Sequence, residues 1–252
     1  MNKFQLLFIV LGVSFSITVF NSCDEISHDL VLPIKPELDT AYIDSNMETP
    51  QSRVVLVEEF TGVRCVICPQ GHAVTAQLLE DLPDNVAVIA AHTYFAGPFP
   101  FSAEDYQINA ADILDDFLGP VSGWPAAAID RKDWGDGEIV YVANEWITRV
   151  NDRLGVTPPA NLYLESDFDE ATSEMLLTVT IKFTTDVPVD TRLSIAITEN
   201  DIVDAQETPA GVDSFYVHQH TLRDMITPPT GIPIDVSTPA GRVIIKQLRY
   251  SI

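Results

Sequence analysis

Basic residues are scarce in this chain. Against 37 Asp and Glu there are 14 Lys and Arg, a net charge of -23. Such a chain has little with which to neutralise nucleic-acid phosphates, and an anionic membrane surface would repel it. A soluble acidic exterior accounts for the charge, with calcium or a cationic partner as its other use. Chemistry-bearing motifs are few. Nothing resembles a Ser-His-Asp triad, a phosphate-binding loop or a dinucleotide fingerprint, and the lone "GDG" at Gly135–Gly137 reads as a turn. Cysteine is sparse too: three in 252 residues, an odd number that an exported protein has to account for.

What is present is enough apolar residue, 46%, for a sizeable core and two domains. The chain opens with Lys3 and a mostly apolar run of 17 residues, Phe4–Phe20, interrupted by Gln5, Ser14, Ser16 and Thr18. That is short and polar for a spanning helix and reads as a cleaved export segment. It ends in "FNSC". The pattern resembles a bacterial lipoprotein signal, which implies removal of residues 1–22 and acylation of Cys23. A plain secretory signal with an incidental cysteine is the alternative. With Cys23 lipidated, Cys65 and Cys68 remain as one pair.

Residues 23–52 hold Pro33, Pro36 and Pro50 among polar and acidic side chains, with no lasting period, and read as a flexible tether. "DEISHD" behind Cys23 resembles the surface-export signal of Bacteroidetes lipoproteins. "DTA" at 39–41 matches a short O-glycosylation motif that chance also produces.

From residue 53 to 156 strands and helices alternate. "RVVLVEEF" and "NVAVIAAHTYF" are buried strands, and "GWPAAAIDR" holds a third. Ile67, Gly71, Val74 and Leu78 mark a helix that Pro83 ends. A second helix opens on a capping box of Ser102 and Asp105 and turns Tyr106, Ala110, Ile113 and Phe117 inward. A third spans 138–154, with Ile139, Ala143, Trp146, Val150 and Leu154 on one face. This is an α/β layer pattern. From 157 to 252 the period is two, as in "MLLTVTIKFT", "RLSIAIT" and "RVIIKQLRY", which predicts an all-β, Ig-like sandwich.

The stretch "EEFTGVRCVICPQGH", Glu58–His72, carries the chemistry. A strand, a short loop and a C-x-x-C opening a helix is the thioredoxin arrangement. Residues three apart share a helical face, near enough for a disulfide. Cys65 at the helix N-terminus, beside Arg64, has the environment of a reactive thiolate, with Cys68 one turn in as the resolving thiol. Resemblance to thioredoxins implies that Glu59 manages the resolving thiol's proton, with Glu58 as a competitor. It also implies that Pro125 is a cis-proline lying opposite the disulfide and positioning the substrate backbone. The Trp that the family places before the first cysteine is missing, and Val66-Ile67 stand where it has Gly-Pro.

The signal, the tether, this motif, "GWP" and a sandwich containing "HQHTLRD" together resemble the Omp28-related outer membrane proteins of Bacteroidetes. The likeness implies an outer membrane lipoprotein, surface exposure included. The function read from the residues is thiol–disulfide exchange with exported proteins and a redox partner, needing no cofactor, in an unspecified direction. Two rivals stand beside it. Cys65, Cys68, His72 and His92 could hold copper or zinc, and His218 and His220, on one strand face, offer a further pair. Alternatively the sandwich is a binding module, with Tyr216, Trp134 and Trp146 as contacts.

Overall fold

A computed structural model describes residues 36–119, 123–187, 190–234 and 236–251. The signal segment, Cys23 and the tether through residue 35 lie outside the described residues.

In chain order the elements begin with β1 (Leu38–Ile43), β2 (Val55–Thr61), α1 (Cys68–Asp81), β3 (Val86–His92) and α2 (Asn109–Leu118). Next come β4 (Ala126–Ile129), β5 (Val140–Val142), α3 (Trp146–Leu154), β6 (Ala160–Asp169) and β7 (Glu174–Phe183). The chain continues with β8 (Arg192–Leu193), β9 (Ala196–Glu199), β10 (Ile202–Thr208) and β11 (Gly211–His218). It closes with β12 (Thr221–Met225), β13 (Ile232–Pro233) and β14 (Arg242–Ser251).

The main sheet has the order β5-β4-β2-β3-β12-β9. β2 runs parallel to β3 and antiparallel to β4. The apolar run of β2 is covered on both faces, as its composition predicts. On one face Val55 and Val57 meet Leu78 of α1 and Trp146 and Val150 of α3. On the other Phe60 meets Ala111, Leu114 and Leu118 of α2. The sheet does not stop at the boundary expected between 156 and 157. β12 pairs in parallel with β3 through Thr221 and Ala90, and β9 pairs with β12.

The second sheet, β1-β14-β7-β6, is antiparallel throughout. Val179, Ile181, Phe183 and Ile244 on its inner face pack against Leu193, Ile232 and Ile234, from and beside the two-stranded β13-β8 sheet. The molecule is thus mostly β with several sheets, and this part is a sandwich whose second layer has two strands.

Three expectations change. Residues 38–43, assigned to the tether, form β1 on the edge of the second sheet, Leu38 opposite Gln247 and Ile43 opposite Arg242. The second helix starts at Asn109, not Ser102. Asp204 Oδ2 accepts the amides of Ala103 and Glu104 at 2.9 and 3.2 Å, Ser102 Oγ accepts from Phe99 N and Asp105 Oδ1 from Gln107 N. The supposed helix-start donors and caps are therefore satisfied elsewhere. The buried face moves accordingly to Ala111, Leu114 and Leu118, leaving Phe117 exposed. The third helix starts at Trp146, because Val140–Val142 pair with β4 and Trp146 Nε1 donates to Tyr141 O at 2.7 Å.

Candidate functional site

Side chains alternate along a strand, so the neighbours Glu58 and Glu59 leave β2 on opposite faces. Glu58 turns toward α2 and receives Arg131 in two prongs, Nη2 to Oε1 at 2.6 Å and Nε to Oε2 at 2.8 Å. Arg131 also lies 5.7 Å from the Phe117 ring. This satisfied pair removes Glu58 as a proton-handling candidate.

Glu59 turns toward α1 and is 1% exposed. Its Oε1 has no hydrogen-bond partner among the described residues. Burial pushes its carboxyl well above the ordinary range, which favours the protonated form. The close approach of α1 depends on Gly71. A Cβ there would lie 2.6 Å from Glu59 Oε1 and 2.7 Å from Pro125 Cβ. The first turn of α1, the buried carboxyl and Pro125 are thus packed together. The Trp124–Pro125 peptide is cis.

Cys65 and Cys68 are joined as a disulfide, their Cα atoms 5.3 Å apart. Cys68 is fully buried at the first position of α1, and half-buried Cys65 lies in the turn before it. The expected placement, Cys65 on the helix and Cys68 a turn in, is therefore shifted by three residues. Pro69 sets the start, since its fixed φ and missing N–H suit the first turn of a helix. Arg64 directs Nε to Gly97 O at 2.9 Å. Beside Cys65 an open groove of about 490 Å³ is lined by Val66, Ile67, Phe95 and Trp124, the last two rings stacked at 4.2 Å.

The β10–β11 hairpin closes the site from the later half of the chain. Gln206, fully buried, donates from Nε2 to Gly62 O and Cys65 O, both at 3.2 Å. Glu207 N donates to Val63 O at 2.8 Å. From β11, Tyr216 reaches His72: its hydroxyl lies 2.6 Å from Nδ1. On the other side of that ring Nε2 lies 2.8 Å from Thr61 Oγ1 and 3.7 Å from Glu59 Oε1. Burial, and repulsion from His218, lower the His72 pKa to about 4.

A cavity of about 420 Å³ follows, lined by Glu59, His72, His92, Tyr216, His218 and His220 among others. His92 and His218 are buried with ring centroids 5.6 Å apart, and each Nδ1 lacks a hydrogen-bond partner among the described residues. His220 is not on a strand face with His218. It sits in the left-handed region, φ 55°, between β11 and β12, its N–H donating to Asn200. The alternative metal set does not assemble: both sulfurs are in the disulfide, and among the described residues no three His, Cys, Asp or Glu converge for a metal. Trp146 is core rather than a contact, and Trp134 packs under Arg149.

The sequence reading brought out Cys65, Cys68, Glu59, His72, His92 and Pro125. It missed Thr61 and Gln206 and assigned Tyr216 to another role. The turn residues Pro209 and Gly211, where β10 meets β11, are the available signal for the hairpin, and nothing local says where it docks.

A family model for the outer membrane protein Omp28 matches residues 116–252, more than half of the chain. The chain belongs to the Omp28 family. Its place is therefore the outer membrane of the cell envelope. The Omp28 match takes in Pro125, the hairpin and the second sheet, and begins after the C-x-x-C. Among solved structures, HBP35 of Porphyromonas gingivalis has a TM-score of 0.61 at 17% identity, over 81% of this chain and 66% of that one. The match thus spans just under two thirds of that protein's length, and at this identity the likeness is one of fold. A protein of Agrobacterium tumefaciens gives a TM-score of 0.47 at 14% identity, over 79% of each chain. No curated protein sequence matches the chain.

Proposed function

We propose that this Omp28-family protein is an envelope thiol–disulfide exchange protein with a thioredoxin-like layer, held to the membrane by acylated Cys23. Support for the fold comes from parallel β2 and β3, antiparallel β4, helices on both faces and the C-x-x-C between β2 and α1. The observation that carries the reaction is the juxtaposition of the Cys68 helix turn, buried Glu59 and Pro125 around Gly71. A structural disulfide has no use for a buried carboxyl with an oxygen lacking a hydrogen-bond partner among the described residues, which costs free energy. A redox pair does, because the resolving sulfur must gain and lose a proton.

In this reading Cys65 bonds to client sulfur, Cys68 resolves the mixed disulfide, Glu59 exchanges the Cys68 proton and Pro125 borders the client backbone. The apolar groove beside Cys65 suits an extended client segment. Clients are exported proteins, and a second redox partner resets the pair.

The test is trapping. With Cys68→Ser the attacking sulfur has no resolver, and mixed disulfides with envelope proteins accumulate. Cys65→Ser traps few, since Cys68 is buried. In the reduced protein alkylation near neutral pH labels Cys65 first. Equal labelling, together with no trapped species, sinks the exchange reading.

A further inference from the structure

Glu59 is 1% exposed, so a proton it donates is replaced from a neighbouring side chain or from the cavity beside it. His72 is the group placed to do this. Its ring bridges three elements: Nε2 faces Thr61 Oγ1 and Glu59 Oε1 of β2 at 2.8 and 3.7 Å, and Nδ1 faces the Tyr216 hydroxyl of β11 at 2.6 Å. All three of Glu59, His72 and Tyr216 line the 420 Å³ cavity, whose rim carries exposed Ala73, Ala76 and Gln219. That space is lined mostly by apolar atoms, but it is roomy enough for water, with the histidines and Tyr216 as polar partners. The other titratable groups near His72 are His218 from β11 and His92 from β3.

We propose that His72, held between Thr61 and Tyr216, is the proton relay that reloads Glu59 when the Cys65–Cys68 disulfide opens. This rests on the exchange function above. A thiolate of an incoming dithiol bonds to Sγ of Cys65. The Cys65–Cys68 bond breaks, and its electron pair leaves on the Cys68 sulfur. That sulfur takes the proton of the Glu59 carboxyl. The new carboxylate draws Nε2 from 3.7 Å into hydrogen-bond reach, a shift of under about 1 Å, and takes its proton; Nδ1 takes the hydroxyl proton of Tyr216, and cavity water returns one to the phenol. The second thiol of the dithiol loses its proton to solvent and attacks the sulfur bonded to Cys65; that bond breaks, its electron pair leaves on Cys65 Sγ, and the dithiol closes as a disulfide, so two electrons pass to the protein pair. Because burial keeps the ring neutral, the proton moves by exchange of tautomers rather than through an imidazolium.

The experiment is reduction of the protein's own disulfide by dithiothreitol, in light and heavy water. It compares wild type, Glu59→Gln, His72→Gln and Tyr216→Phe. Glutamine keeps a hydrogen-bonding group but cannot pass a proton, and Tyr216→Phe removes one hydroxyl with little threat to folding. The relay predicts that His72→Gln slows reduction about tenfold or more, within the range of general acid catalysis, with a larger solvent isotope effect. Tyr216→Phe slows it less, in the same sense. His72→Ala regains rate when imidazole is added, a rescue that a merely structural role does not give. If His72→Gln and Tyr216→Phe keep the wild-type rate and isotope effect while Glu59→Gln is slow, the relay is overturned and the exchange reading stands. If Glu59→Gln is also as fast as wild type, the carboxyl's part fails and the relay fails with it.

Discussion

Glu58 and Glu59 stand back to back on β2, the first in a two-pronged contact with Arg131, the second with its Oε1 lacking a hydrogen-bond partner among the described residues. Their variants should therefore part. Arg131→Leu leaves Glu58 buried and uncompensated, and should cost about 3–5 kcal/mol. Glu59→Gln keeps the shape and removes a carboxyl whose ionised form burial disfavours, so it should cost little, and should add stability as pH rises. Urea unfolding of both variants checks the contrast; equal losses would refute it.

Gly71→Ala reverses a familiar rule. In an open helix the change gains about 1 kcal/mol. Here the new Cβ meets Glu59 Oε1 at 2.6 Å and Pro125 at 2.7 Å. The overpacked variant should lose about 1–3 kcal/mol. A raised melting temperature would show that α1 moves aside freely.

The parts legible in the sequence are those whose causes are local. β2 and β3 are apolar runs, α1 has Pro69 at its start and Pro83 after its end, and β7 alternates residue by residue. The parts that were not legible answer to distant residues. β1 is six residues of mixed polarity whose partner strand lies some two hundred positions on. The late start of α2 is decided by Asp204, about a hundred residues downstream. Of the site, the cysteines, Glu59 and Pro125 could be read from a motif. Gln206 could not, since it is 141 residues from Cys65 and nothing beside it signals a clamp.

Gln206→Ala tests that clamp. It removes the Nε2 contacts to Gly62 O, Cys65 O and Glu207 O, leaving the first two carbonyls only the amides of Cys65 and Cys68, for a loss of about 1–2 kcal/mol. Hydrogen exchange should quicken at Arg64 and Cys65, whose amides bond to Ala96 O and Gly62 O, while β2 stays protected. Unchanged exchange in the loop would count against the clamp.

Acid should weaken the fold in a defined window. Burial lowers the pKa of His72 to about 4, and lowers those of His92 and His218. A group whose folded pKa is lowered binds more protons unfolded. Its contribution is whole above the ordinary value of about 6.5 and is lost as pH falls from there, by up to about 1.4 kcal/mol per unit per group. Glu59 works oppositely: its folded pKa is raised, so its contribution is present below 4.5 and is lost as pH rises through the folded value. The pKa of His220 is lowered too, and burial raises that of Asp115 to about 6; four histidines outweigh two carboxyls, so the melting temperature should drop between pH 7 and 5. In Glu59→Gln, with one opposing group fewer, it should drop more steeply. A flat profile in wild type would contradict this.

Cys23→Ser tests the anchor. Without an acyl group the protein should leave the outer membrane fraction, its folded part unchanged. Retention of an unmodified chain there would end the lipoprotein reading.

The hairpin that carries Gln206 and Tyr216 also sets an order of events. A chain crossing the inner membrane from its N-terminus presents Cys65 and Cys68 long before residues 202–218 arrive. During transit the pair is unclamped, His72 has no Tyr216, and Glu59 lies next to an unfinished wall. Full assembly of the candidate site therefore waits on the later half of the chain, and the pair meets its complete surroundings only once these strands have docked.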